Sequence, residues 1–407
     1  MENKKETHKI VYVEPADYFP EETRKKYKLG EYAESEELKR IKAVMIGHAV
    51  GDALGVPVEF CSREELDENP VTDMMGFGSY PVPEGCWSDD TSMSLATLDS
   101  LKKDKIDYDD IMDNFVAWCS RDEYTPTGEM FDIGRTCLTA IRNYLRTDGK
   151  PALDCGLSEE HSNGNGSLMR IHPMVLYLYY KGYDIEDAIE IIHNTSSITH
   201  AHMRSKMACG IYTCILWELL KEPSKASVLK GLNRARRYYG GHLSQKEKSR
   251  IKERLQNPTL TDNEKSELLE MLYVGIDIKT NKLNSDEFSI YDRMLLKRIG
   301  WIYRHWEDID DHKEVTRDEI KSTGYVVDTL EAAVWCVLTT YSYKECVLKA
   351  VNLGEDTDTV AAVAGGLAGA MYGFDKLPIE WVEKIKKLDY IESLCEDAYA
   401  NWQKKND

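Results

Sequence analysis

The sequence predicts an all-α protein, on three observations. Apolar residues recur at three- and four-residue steps, as in Leu38, Ile41, Met45 and His48 and again in Val327, Leu330, Val334, Val337 and Tyr341; this spacing lines one face of a helix. Strand-like alternation is sparse, with residues 9–13 the best candidate. Helix-start signatures are common, including the capping boxes Ser244-Gln245-Lys246-Glu247, Thr261-Asp262-Asn263-Glu264 and Thr316-Arg317-Asp318-Glu319. Further helices are expected over 109–120, 133–145, 169–180, 185–194, 201–220 and 378–387.

Residues 1–35 mix prolines, charges and aromatics without periodicity and are expected to form an N-terminal extension. A helical domain follows over 36–407. Within it, residues 221–319 are more charged, and their capping boxes suggest a helical insertion or lid. No internal period of 20 to 50 residues points to a solenoid.

With 42% hydrophobic and 30% charged residues among 407, the composition is that of an ordinary globular protein. A net charge of -19 disfavours nucleic acid or an anionic membrane as partner, because phosphate-binding surfaces need clustered Lys and Arg. Residues 1–10 lack the apolar core of a secretory signal, so a cytoplasmic location is expected. The weakly polar run 359–374 falls short of the ~20 residues that span a bilayer and reads as a buried helix. The ten cysteines are irregularly spaced with no Cys-x-x-Cys pair, which predicts free, buried thiols. His193, His200 and His202 have no cysteine at zinc-finger spacing.

Two acid–hydroxyl clusters carry the chemistry. Ser88-Asp89-Asp90-Thr91 ends a loop and opens an apolar-periodic stretch, and Asp356-Thr357-Asp358-Thr359 opens a run dense in Ala and Gly. Adjacent helical side chains diverge by about 100°, so paired acids converge on one ion only near a helix start or in a loop. Each cluster alone is equally an N-cap with acidic first-turn residues. Two such clusters, far apart in sequence, suit a hard cation such as Mg²⁺ or Mn²⁺, which takes carboxylate and hydroxyl oxygens. Without metal, packed carboxylates would repel and their pKa values would rise. Gly365, Gly366 and Gly369 remove side-chain bulk after the second cluster, so that another backbone can approach closely.

Two further features are open between a structural and a functional reading. Glu59 closes the Gly51–Glu59 stretch GDALGVPVE and is either a pocket acid or simply part of a turn. Gly164-Asn165-Gly166-Ser167 leads into a helix containing Arg170; it is either a plain turn or a loop whose backbone N–H groups could hold a phosphate. His200 sits in the SSITHAH stretch.

Together the motifs resemble the ADP-ribosylglycohydrolase family. GDALGVPVE, WSDDTSM, FDIGRTC, GNGSLMRIHP, SSITHAH, GYVVDTLEAAVW and NLGEDTDTVAAVAGGLAGAMYG occur in family order between Ile41 and Gly373. The resemblance implies a compact orthogonal multi-helix domain with a dinuclear metal cleft. One Mg²⁺ would be held by Ser88, Asp89, Asp90 and Asp358, and the other by Asp356, Asp358 and Thr359, with Asp358 bridging. It further implies that Glu59 and Asp132 are catalytic, that Gly164, Asn165, Gly166 and Ser167 cradle a diphosphate, and that His200 lies near the ligand. Ser88 stands where threonine is more usual, and Glu355 stands where glycine is common.

The expected activity is Mg²⁺-dependent hydrolysis of the bond between ADP-ribose and a protein side chain, with arginine preferred. The expected partner is an ADP-ribosylated protein or a small ADP-ribose conjugate, met by a monomer. The alternatives are a hydrolase of a free derivative such as O-acetyl-ADP-ribose and a non-enzymatic ADP-ribose-binding member.

Overall fold

Helix α1, Glu36–Gly55, starts on Ser35, whose side chain accepts from the Leu38 N–H at 3.1 Å. Glu36 and Glu37 follow in its first turn, where the helix dipole favours acids. From Ile41 onward every residue of α1 is buried, which marks a helix surrounded by protein on all sides. The computed structural model describes residues 35–146, 149–239, 253–257 and 316–404. The predicted N-terminal extension, the strand at 9–13 and the capping boxes at Ser244 and Thr261 lie outside the described residues.

Among the described residues the other α-helices are, in chain order, α2 (Arg63–Glu68), α3 (Asp89–Leu101), α4 (Tyr108–Arg121), α5 (Arg135–Arg146), α6 (His172–Tyr180), α7 (Ile185–Ser197), α8 (Met203–Lys221), α9 (Lys225–Tyr239), α10 (Val326–Thr339), α11 (Tyr343–Val351), α12 (Thr357–Tyr372), α13 (Ile379–Val382) and α14 (Leu388–Trp402). Pairing of extended backbone among the described residues is confined to two isolated bridges, Leu157 with His200 and Gly164 with Tyr325. The protein is all-α, as expected.

The core is organised around α1 and α12, which run antiparallel with their backbones in contact. A Cβ on Gly51 would sit 2.1 Å from the Ala361 carbonyl oxygen, one on Gly365 2.3 Å from that of Gly47, and one on Gly369 1.9 Å from that of Ala43. The four-residue spacing on each helix puts these positions on one stripe. Gly366 lies off it, nearest the Tyr212 hydroxyl. Helices α10 and α11 pack on α12, and α3 and α14 pack on α1. The antiparallel crossing brings the end of α1 beside the start of α12.

Several boundaries differ from expectation. The helix expected over 378–387 is a single turn, α13, and the chain re-enters helix as α14 after Lys387, whose φ of 51° breaks the run. Tyr341 lies beyond α10 and is exposed, its ring 3.7 Å from the Lys225 ammonium rather than on the apolar face. Helix α6 starts three residues late, with Pro173 in its first turn. Of the charged 221–319 stretch, α9 belongs to the helical body, because Val228, Leu232, Ala235 and Tyr239 are buried and α9 packs on α8. The Thr316 capping box forms, but it closes only the 3₁₀ turn Arg317–Glu319. All ten cysteines are free, and most are buried. By length and apolar composition the segment Glu36–Val58 could cross a membrane, yet from Ile41 onward it is buried within the protein.

Candidate metal centre and active site

The first acid cluster is both cap and candidate ligand set. Ser88 is the N-cap of α3 and accepts from the Asp90 N–H at 3.3 Å, while Asp89 and Asp90 occupy the first turn. What fixes this start is Asp52 on α1, fully buried. Its Oδ1 accepts from the Ser88 N–H at 2.9 Å, and its Oδ2 accepts from the Thr91 N–H at 3.0 Å and the Thr91 hydroxyl at 2.6 Å. Burial pushes the Asp52 carboxyl up to about 6, and these bonds restrain the rise. Asp52 was given no role by sequence; the available signal was an acid in an otherwise apolar helical run.

The second cluster begins at Asp356, which precedes α12. The Thr357 hydroxyl donates to the Gly55 carbonyl oxygen at 2.8 Å, and a Cβ on Gly55 would sit 2.3 Å from Asp358 Cα. Asp356 Oδ2 accepts from Asn165 Nδ2 at 2.9 Å; the same amide donates to Thr329 Oγ1 at 2.9 Å. Gly324 lets that oxygen approach, since a Cβ there would lie 2.9 Å from it. The two clusters meet at Asp90 Oδ2, which accepts from the Ser88 hydroxyl at 3.2 Å and from the Thr359 hydroxyl at 3.1 Å.

Glu59 and Asp132 join from two loops. One ligand oxygen each of Glu59, Asp132 and Asp358 lies within 4.8 Å of the others. Glu59 follows the 3₁₀ turn Val56–Val58 at the end of α1, and Ser79 pins its backbone by donating to the Glu59 carbonyl oxygen at 2.5 Å. Burial, then the Asp132 charge, push the Glu59 carboxyl up to about 8, against a hydrogen bond from Tyr80. Burial likewise raises Asp132, Asp89, Asp90 and Asp358, and neighbouring carboxylates add to the rise. Asp89 accepts from the Gly134 N–H at 3.3 Å, which ties the loop carrying Asp132 to α3.

This donor set fits a divalent cation. Buried carboxylates converge with hydroxyls between them, and among the described residues no Lys or Arg forms an ion pair with any of these acids. Asp90 Oδ1 and Glu59 Oε2 are buried and have no hydrogen-bond partner among the described residues. Orphaned anionic oxygens are costly unless a cation neutralises them, and an all-oxygen set is that of a hard ion.

The predicted Gly164–Ser167 cradle divides into parts. The Asn165 side chain braces Asp356, and its N–H donates to the Gly324 carbonyl oxygen at 3.1 Å. Ser167 is turned inward, its hydroxyl accepting from Ser196 Oγ at 2.9 Å. Gly164 and Gly166 remain, facing the His200 ring. Glu355 lies exposed at the junction of the two loops with a φ of 63°, beside Gly354 at 80°. The backbone bonds Phe60 N–H to Glu355 O and Glu355 N–H to Cys61 O, both 2.7 Å, hold it there. The position where glycine is common therefore does demand left-handed backbone.

The family model described as ADP-ribosylglycohydrolase matches residues 33–407. The ADP-ribosylarginine hydrolase Tri1 of Serratia proteamaculans is 29% identical, covering 90% of this chain and 80% of its own. The ADP-ribosyl-[dinitrogen reductase] glycohydrolase of Rhodospirillum rubrum is 27% identical, covering 85% and 90%. A solved structure titled ADP-ribosylglycohydrolase-related protein complex superimposes with a TM-score of 0.61 at 26% identity, covering 90% of this chain and 99% of that one.

Proposed function

Because the chain belongs to the ADP-ribosylglycohydrolase family, an enzyme family of glycosyl-bond hydrolases, we propose that it frees protein side chains, arginine first, from ADP-ribose in a Mg²⁺-dependent reaction. The convergence of Glu59, Asp132 and Asp358 at the junction of the two acid-bearing helix starts carries this reading. The arginine preference draws on the similarity to the Serratia and Rhodospirillum enzymes.

Ser88, Asp89, Asp90, Asp356, Asp358 and Thr359 would hold two Mg²⁺, with Mn²⁺ as a substitute; when bound, these ions supply positive charge that polarises hydroxyl oxygens and acidifies water. Glu59 would carry the proton transfer. Among the described residues its Oε2 has no hydrogen-bond partner, which leaves it open to accept a proton from the attacking water. A carboxyl raised by burial and by Asp132 is a stronger base than an exposed one, and bound cations would lower its pKa toward the working range. Asp132 orients a ribose hydroxyl beside it. The bond to the anomeric carbon breaks through oxocarbenium-like charge, which the surrounding carboxylates favour. The water oxygen bonds to the anomeric carbon as the bond to the guanidine breaks, and the departing guanidine takes the proton that Glu59 removed from the water and leaves as unmodified arginine.

The test is incubation with arginine-, serine- and glutamate-linked ADP-ribosylated targets and with O-acetyl-ADP-ribose, with and without Mg²⁺. Mg²⁺-dependent release of ADP-ribose, fastest from arginine, is expected. Cleavage of the diphosphate, or no release from any of the four with Mg²⁺ present, would overturn the reading.

A further inference from the structure

Behind the Gly164–Gly166 turn lies a polar chain that the reaction as derived does not use. Arg170 is completely buried on the loop leading into α6, its guanidinium 4.8 Å from the Phe115 ring centroid. One of its nitrogens donates to the Thr199 hydroxyl at 2.7 Å and to the Thr195 carbonyl oxygen at 3.3 Å. The Thr199 hydroxyl in turn lies 2.9 Å from Nδ1 of the buried His200. His200 is held through its backbone as well: its N–H donates to the Ser196 carbonyl oxygen at 2.8 Å, and its own carbonyl oxygen accepts from the Ser196 hydroxyl at 3.0 Å.

The direction of these bonds follows from donor chemistry. Arginine only donates, so Thr199 Oγ1 accepts from it. The hydroxyl then has one hydrogen to place, and among the described groups His200 Nδ1 is the acceptor within reach. The opposite assignment, Nδ1–H donating to Oγ1, would leave the threonine hydrogen buried without an acceptor. Burial and the Arg170 charge keep the imidazole neutral at working pH, so the ring carries one proton. With Nδ1 accepting, that proton is on Nε2. This nitrogen faces the glycine turn: a Cβ on Gly164 would lie 3.7 Å from it and one on Gly166 3.5 Å. Either side chain would fill the space in front of the donor.

We infer that Thr199, oriented by Arg170, is a positioning residue that locks His200 as the Nε2–H tautomer, so that the ring presents a hydrogen-bond donor to a phosphate or hydroxyl oxygen of the substrate at the Gly164–Gly166 turn. The ligand half of this statement rests on the ADP-ribose reading above; the tautomer half does not. The lock gives the glycine turn a neutral donor that cannot reverse its polarity, with the buried guanidinium behind it favouring an anion.

The first arm of the test is long-range ¹H–¹⁵N correlation on full-length protein labelled at histidine. His200 is expected as a single Nε2–H species in the wild type, as mixed or Nδ1–H species in Thr199→Val, and as Nε2–H again in Thr199→Ser. An Nδ1–H ring in the wild type, or an unchanged signature in a folded Thr199→Val variant, would overturn the lock. The second arm is calorimetric titration with ADP-ribose. His200→Gln carries an amide nitrogen out to the place of Nε2 and is expected to keep affinity within about threefold, whereas His200→Asn reaches only as far as Nδ1 and is expected to lose about tenfold or more. Equal losses in both would overturn the donor role. A locked tautomer in a protein to which ADP-ribose does not bind would refute the ligand half and sustain the positioning half.

Discussion

The two acid clusters reach one cleft by different physical means. The start of α3 is held by side-chain chemistry: Asp52 extends from α1 and accepts three hydrogen bonds from Ser88 and Thr91. The start of α12 is held by the absence of side chains, since Gly55 lies flat against Asp358 and Gly51 against Ala361. Both devices sit within the last five residues of the same helix. The end of α1 therefore acts as a common ruler for the two clusters, and each can be broken separately.

The backbone contact should be the less forgiving. Gly55→Ala places a Cβ 2.3 Å from Asp358 Cα and 2.4 Å from its N, with only backbone to yield. Overpacking of this kind costs about 1–3 kcal/mol, and more where nothing can move. A marked drop in melting temperature and a loss of divalent-cation affinity are expected, measured by thermal unfolding and Mn²⁺ titration; if both match the wild type, close approach does not set the position of Asp358.

Breaking the side-chain bracket should act more selectively. Asp52→Asn keeps the volume but turns an NH₂ group toward the Ser88 or Thr91 donors. The change should weaken metal binding and turnover by about 10–100-fold, the range for groups that orient ligands, with the helical circular-dichroism signal retained. Turnover equal to wild type would remove Asp52 from the account.

The pH dependence of stability sharpens the comparison further. Asp52 is raised from 3.8 to about 6 and Glu59 from 4.5 to about 8. The folded, metal-free protein thus holds protons that the unfolded chain releases. This stability is fully present below about pH 4 and is lost as pH rises through about 8. Melting temperature without divalent cations should therefore decline over that window, and saturating Mg²⁺ should flatten the decline by neutralising the carboxylates. A metal-free protein whose stability climbs across this window would show that the acids are compensated from within.

The smallest effect should come from Glu355. Left-handed backbone costs a non-glycine residue about 1–2 kcal/mol, and a glycine in its place gives part of that back as unfolded-state entropy. Glu355→Gly should gain about 0.5 kcal/mol in denaturant unfolding, with little change at Asp356.

The metal-ligand candidates were legible because acids paired with hydroxyls at two helix starts form a local pattern. Asp52 was not, since an isolated acid in an apolar helix reads the same whether it braces a loop or pairs with a distant lysine. The bracing role of Asn165 depends on Asp356, 191 residues away, which no local pattern reveals. The close-approach reading of Gly365 and Gly369 is borne out, and Gly47, Gly51 and Gly55 carried the matching four-residue spacing on the other helix. Helix α14 has apolar residues at helical steps, Ile391, Leu394, Cys395, Ala398 and Trp402, a signal that the expectation of a helix at 378–387 passed over; there the helix ends at Val382, and the next begins only after the left-handed Lys387.

The claim beneath all of this is that the starts of α3 and α12 make one divalent-cation centre through Asp358. Calorimetric titration of Mn²⁺ into the wild type and Asp358→Asn measures it directly. Two ions per chain are predicted for the wild type, with tight binding of both lost in the variant. Unchanged stoichiometry and affinity in Asp358→Asn would contradict it.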